Sequence, residues 1–215
     1  MSNYDLVTVA QDKGRYEELI PRWWDWVYEE DCDAKSNRGD VTFLRDDIIK
    51  GQIKIGAGVT SSLPAEYCKQ NIEVKGGANI FFPVYHVHVC ERDPYVLGEG
   101  TCDTIERCRI SAENDLANVY DRWANISFNG GKEEPITKNF KDHEIKVGPF
   151  TLEVKRHNDL KTEEGYYLSP GSYNGVSYGT YLLLNDFKPG NYVIDFGGKA
   201  TNFQTRSIYN VAVGS

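Results

Sequence analysis

Residues 81–90 read FFPVYHVHVC, an apolar run in which two histidines and a cysteine fall at every second position. Successive side chains of a strand face opposite sides. A regular strand here sets Phe81, Pro83, Tyr85, Val87 and Val89 on one face and Phe82, Val84, His86, His88 and Cys90 on the other. The first face is wholly apolar and is expected to meet the core. The second starts apolar and ends in imidazole, imidazole and thiol. Alternate residues on one face lie about 7 Å apart, a span that one metal ion bridges when the side chains converge.

Neutral imidazole with thiolate suits zinc or another borderline transition metal. His86, His88 and Cys90, with Glu91 just after the run, form the candidate ligand set. Asp93, Glu99, Cys102, His143 and His157 are further donors with no distinguishing spacing. The competing reading is structural: two histidines lining a half-exposed face and Cys90 as a small buried filler.

Outward from this strand, short β-prone runs alternate with glycine-rich breaks. VTFL (41–44), IKIGAGVT (53–60) and NIEV (71–74) precede it; NISF (125–128), HEIKVGPFTLEV (143–154), VSYGTYLLL (176–184), NYVIDFGG (191–198) and RSIYNVAV (206–213) follow. Phe187-Lys188-Pro189-Gly190 separates two of these as a type II turn, proline presetting φ and glycine taking the positive φ.

Two segments carry helical periodicity instead. In 12–31, Leu19, Trp23 and Val27 form an apolar stripe that Trp24 and Trp26 widen, with Pro21 suited to a first turn. In 103–124, Ile105, Cys108, Ala112, Leu116, Val119 and Trp123 recur at three- and four-residue steps. This spacing assigns all four tryptophans to helices and so to the core, against a sugar-stacking role. The sequence thus predicts a mainly β chain: one domain over 1–215, a jelly-roll-like β-sandwich with two accessory helices near 12–31 and 103–124.

The formal charge of −8 and the absence of long basic runs disfavour nucleic acid. The longest apolar stretch, Ile80 to Val89, falls far short of a bilayer span. MSNYDLVTVAQDKGRYEE, the first stretch, lacks the pattern of a secretory signal, so the chain as written is expected in the cytoplasm, and exported if a leader is missing. Free thiols are the expected state of the five cysteines in the first case; two disulfides and a spare thiol become available in the second. Cys102 and Cys108 bracket a turn and helix, with packing preferred to a redox pair.

Smaller motifs add little. Arg38-Gly39-Asp40 is a tripeptide that adhesion receptors read, taken here as chance in a polar loop. Asn125-Ile126-Ser127 is a glycosylation triplet that matters only in an exported protein. Glu29-Glu30, Asp46-Asp47 and Glu133-Glu134 read as solvated charge rather than an acid–base pair. No nucleophile elbow, phosphate loop, dinucleotide fingerprint or H-E-x-x-H helix is present.

Several segments together resemble a group of uncharacterised prokaryotic proteins that open with a W-W-x-W helix and carry an I-F-F-P strand behind a glycine turn. They are RWWDW (22–26) with Cys32 beyond it, GDVTFL (39–44) and GGANIFFPV (76–84). The C-terminal half adds YLLL (181–184), Lys188-Pro189-Gly190, Phe196-Gly197-Gly198 and Tyr209-Asn210-Val211. The resemblance implies a secreted-type, β-rich domain and brings no activity. Members usually carry a leader, and many lack histidines after the I-F-F-P strand, so His86 and His88 depart from the group.

His86-x-His88 followed by Glu91 and Gly98 is also similar to the first half of the cupin signature. The histidine-to-glutamate gap is one residue short, and Pro189-Gly190 has no histidine behind it to complete the second half. Two functions stand. One is a non-catalytic interaction or structural module with a protein partner or a second copy of itself. The other is a metal-dependent, cupin-like enzyme or metal-binding protein on His86, His88, Cys90 and Glu91. The first is preferred because no general base, nucleophile or oxyanion device declares itself.

Overall fold

The computed structural model describes residues 3–29, 39–45, 48–55, 59–62, 71–91, 101–154, 171–201 and 203–214. Two mixed sheets pack face to face as a β-sandwich. In the first sheet, β1 (Asp5–Val7), β11 (Gly171–Asn185), β6 (Asn79–Glu91) and β2 (Val41–Phe43) lie in that order. β10 (Glu144–Val154) also borders β11, and β7 (Thr101–Cys102) borders β6. The second sheet runs β4 (Val59–Ser62), β3 (Ile48–Ile55), β13 (Phe203–Val213), β12 (Gly190–Ala200), β8 (Val119–Phe128) and β9 (Glu134–Pro135), with β5 (Asn71–Val74) beside β13. Most ladders are antiparallel; β2 and β7 on β6, and β5 on β13, are parallel.

The core between the sheets is built from alternate residues of the strands, apart from one break in β6. Ile80, Phe82, Val84, Leu182 and Leu184 from the first sheet meet Ala124, Ile126, Ile194, Phe196, Tyr209 and Val211 from the second. The first sheet is also covered outside. Helix α1 (Lys13–Glu29) lays Tyr16, Leu19, Ile20, Trp23, Trp24, Trp26 and Val27 on Phe43, Phe81, Ile145, Tyr181 and Leu183. Helix α2 (Ile105–Ala117) closes one end of the sandwich, with Cys108 and Ala112 against Val176 and Tyr178.

Two helix expectations change. Pro21 lies inside α1, not in its first turn. An interior proline costs about 3 kcal/mol, here offset by the seven large side chains that the helix buries. Thr104 caps α2 as its side chain accepts from Arg107 N, but the helix ends at Ala117 with Asn118 as its C-cap. Val119 to Phe128 is strand, so Trp123 belongs to β8 and not to a helix stripe. The three- and four-residue spacing of Val119 and Trp123 is coincidental; pairing with β12 decides the segment.

The largest correction concerns β6. Its ladder with β11 shifts register between Thr180 and Tyr181: Tyr85 pairs with Thr180 and Pro83 with Tyr181, leaving Val84 as an extra residue. Proline lacks the N–H a central strand needs, and a bulge accommodates it. The bulge inverts the alternation. Phe81 packs under α1, Phe82 and Val84 enter the inter-sheet core, and Tyr85 also points inward, against Gly198 of β12. His86 therefore joins the helix-covered face with Phe81. Both faces of this strand are interior.

Candidate functional site

The structure places His86 in a cage of aromatic rings beneath α1. Its imidazole lies edge-on to Trp23 and Trp24, with ring centroids at 5.0 and 4.8 Å, and Tyr181 stands at 6.1 Å. The cage is held by hydrogen bonds. Trp23 Nε1 donates to Leu44 O at 2.8 Å, and Trp24 Nε1 donates to Ser177 Oγ at 2.9 Å. Ser177 Oγ and Tyr181 OH are 2.6 Å apart, and both residues are fully buried. These donors fix each indole, and the indoles fix the imidazole.

His86 keeps some residue surface, yet its Nδ1 is buried. Burial, assisted by the positive charge of Arg45, lowers its pKa to about 3. The imidazole is thus neutral throughout the physiological range. A base this weak is poorly matched to proton transfer near neutrality. Neutral imidazole is also the form that a metal takes, and with Nδ1 buried, coordination would fall to Nε2.

The other candidate ligands are placed by backbone register alone. His88 pairs with Ser177, Cys90 with Gly175 and Thr101, and Glu91 with Cys102. The side chains of His88, Cys90 and Glu91, and all of Asp93, Gly98, Glu99 and His157, lie outside the described residues. Among the described residues, no three His, Cys, Asp or Glu side chains gather as a metal would require.

His143 occupies a separate position. It is buried, with Nδ1 at 3.4 Å from Tyr16 OH, which itself donates to Val7 O at 2.6 Å. Tyr16 and Trp23 are about 10 Å apart along α1, so the two histidines sit at different levels under the helix. Burial lowers the His143 pKa and raises that of Tyr16. This pair joins β1, α1 and the 3-10 turn Phe140–His143 that leads into β10.

Cys102 and Cys108 form a disulfide between β7 and α2, with Cα atoms 5.3 Å apart. The expectation of free thiols fails for these two; spacing alone could not show that Thr104 starts a helix whose first turn brings Cys108 back to Cys102. Cys32 and Cys68 lie outside the described residues. Asp40 of the Arg38-Gly39-Asp40 tripeptide is ion-paired with Arg15 and Arg22 of α1.

A second aromatic group was missed because Trp123 was assigned to a helix. On β8, Ala124 and Ile126 face the core, so Trp123 faces outward from the second sheet. Its Nε1 donates to Asp195 Oδ1 at 3.0 Å, and Asp195 also accepts from Arg206 Nε and Nη2 at 3.1 and 2.6 Å. The readable signal was the pair Gly197-Gly198. A Cβ on Gly197 would come within 2.6 Å of the Trp123 ring outside, and one on Gly198 within 2.6 Å of the Tyr85 ring inside. Two bare positions let two aromatic rings press on opposite faces of one strand.

Comparisons with protein-family models, curated proteins and solved structures return no match to this chain.

Proposed function

We propose that this chain is a non-catalytic β-sandwich interaction module. The observation that carries this reading is the state of His86: neutral to about pH 3, and wedged between Trp23 and Trp24 as a packing element. Other reactive groups are similarly spent on structure. His143 and Tyr16 tie β1 to α1, and Cys102 is bonded to Cys108. The disulfide also supports export over a cytoplasmic location, since such bonds persist in oxidising compartments. That agrees with the secreted-type domains the W-W-x-W and I-F-F-P segments resemble.

A second reading keeps the histidine strand as a metal site, favoured by the neutral imidazole of His86 and by its place two residues before His88 in an intact ladder. His86, His88, Cys90 and Glu91 would hold the ion, and zinc there would serve as a Lewis acid or structural clamp. Elemental analysis of untagged protein, with thermal unfolding before and after chelation, separates the two. The module reading expects substoichiometric transition metal and an unchanged Tm. A stoichiometric metal whose removal lowers Tm overturns it.

A further inference from the structure

We propose that the Cys102–Cys108 disulfide is a redox clasp: it holds α2 on the end of the sandwich, and its reduction by a dithiol lets the helix undock while the two sheets stay folded. The device stands apart from the choice between module and metal site. The two helices are attached very differently. α1 lays seven large buried side chains on the first sheet. Of the 13 residues of α2, Cys108 and Ala112 are fully buried, and Ile105 and Leu116 are half-buried. A helix of this length is marginal in water by itself, so docking sustains it. Its C-terminus runs through Asn118 straight into β8, whereas its first turn is bonded through Cys108 to Cys102 of the two-residue strand β7.

The apolar contacts of α2 form a cluster of their own. Cys102, Cys108 and Ala112 meet Val176 and Tyr178, with Val87 beside them. Neither the core beneath α1 nor the core between the sheets includes a residue of α2. The ion pair from Lys146 Nζ to Glu113 Oε1, at 2.5 Å, is exposed on both sides and adds little. Undocking therefore uncovers Val87, Val176 and Tyr178 and leaves both main cores packed. While the bond is intact, an undocked helix stays tethered by a loop with a sequence separation of 6. Losing that constraint shifts docking toward the open state by up to about fiftyfold.

Cys102 is 8% exposed and Cys108 is fully buried, so Cys102 Sγ is the sulfur that an incoming thiolate reaches first. Attack there breaks the Sγ–Sγ bond, joins the reductant to Cys102 as a mixed disulfide and releases Cys108 as a thiolate, which takes up a proton. The second thiol of the reductant then displaces Cys102. Two electrons and two protons pass from the dithiol to the protein, which ends with two thiols while the reductant ends as a disulfide. In oxidising surroundings the clasp is shut; a dithiol oxidoreductase or a small dithiol opens it.

The test is hydrogen exchange and iodoacetamide labelling of the full chain, oxidised and in dithiothreitol, across low urea concentrations. Local opening exposes little surface and so depends weakly on urea, whereas unfolding of the whole chain carries the full slope. In dithiothreitol the α2 amides should exchange about tenfold to fiftyfold faster than in the oxidised protein. Their exchange, and alkylation of the otherwise buried Cys108, should show a urea slope well below that of the β12 and β13 amides. Cys102→Ser, Cys108→Ser should give the fast α2 exchange without reductant and no further response to it, which separates the clasp from any other effect of dithiothreitol. Should that variant fail to fold, labelling of the wild type still decides. Equal α2 exchange in oxidised and reduced protein, or Cys108 labelling with the full slope of global unfolding, overturns the proposal.

Discussion

Replacing His86 with a side chain that cannot titrate should flatten the pH dependence of stability. The imidazole has a pKa of about 3 in the fold against 6.5 when exposed. Between those values the unfolded chain binds one more proton than the folded chain, so stability rises with pH at about 1.4 kcal/mol per unit. The contribution is complete above the unfolded pKa and is lost as pH falls through 6.5 toward 3. From pH 7.5 to pH 5 the loss from this residue alone is about 2 kcal/mol, or roughly 4–8 °C in Tm for a chain of this size.

The assay is urea unfolding at pH 7.5 and 5.0 for wild type, His86→Leu and His86→Gln. Absolute stability will differ among them because the cage repacks; the difference between the two pH values is the quantity of interest. His143 is also held below its ordinary pKa by burial and titrates in every variant, so some slope will persist. The two variants should each lose about 2 kcal/mol less than wild type over this range. Equal losses in all three proteins would mean that His86 can be protonated in the fold, and the cage would have to be open to water.

Further consequences follow from single contacts. Tyr16→Phe removes the hydroxyl between Val7 O and His143 and should cost about 1 kcal/mol in urea unfolding, because a part-buried carbonyl loses one of its donors. Gly198→Ala drives a methyl into the Tyr85 ring and should lower stability by about 1–3 kcal/mol, with a non-additive double cycle against Tyr85→Ala. Reduction of Cys102–Cys108, which closes a short loop, should cost about 2 kcal/mol, and reductant should no longer shift Tm in the Cys102→Ser, Cys108→Ser double variant.

The parts of this fold visible in the sequence are those that local periodicity controls. The α1 stripe, the start of α2 near residue 103 and most of the strands could be read from spacing and from turn residues. Where tertiary pairing overrules spacing, the reading broke. Val119 and Trp123 continue the rhythm of α2 for two more steps, but β12 supplies a ladder that takes them into β8. Pro21 looked like a helix start because its missing N–H is harmless there, whereas the aromatic face of α1 carries it in mid-helix.

The proline in FFPVYHVHVC is the more consequential case, because it changes what the histidines are for. A regular strand would turn Tyr85 and Phe81 to one side and His86 to the other. With Val84 bulged out opposite the Thr180–Tyr181 step, Tyr85 turns in to rest on Gly198 and His86 turns back beneath Trp23 and Trp24. The same glycine pair that receives Tyr85 inside lets Trp123 lie down outside. One inserted residue and two absent side chains thus decide which aromatic groups face the interior and which faces solvent. Val84 deletion removes the inserted residue while Tyr85 keeps Thr180 and His86 keeps Gly179 as partners, so the imidazole should stay beneath Trp23 and Trp24. The loss of one buried valine should cost about 1–3 kcal/mol in urea unfolding. A His86 that titrates near its ordinary value in this variant would refute the account of the bulge.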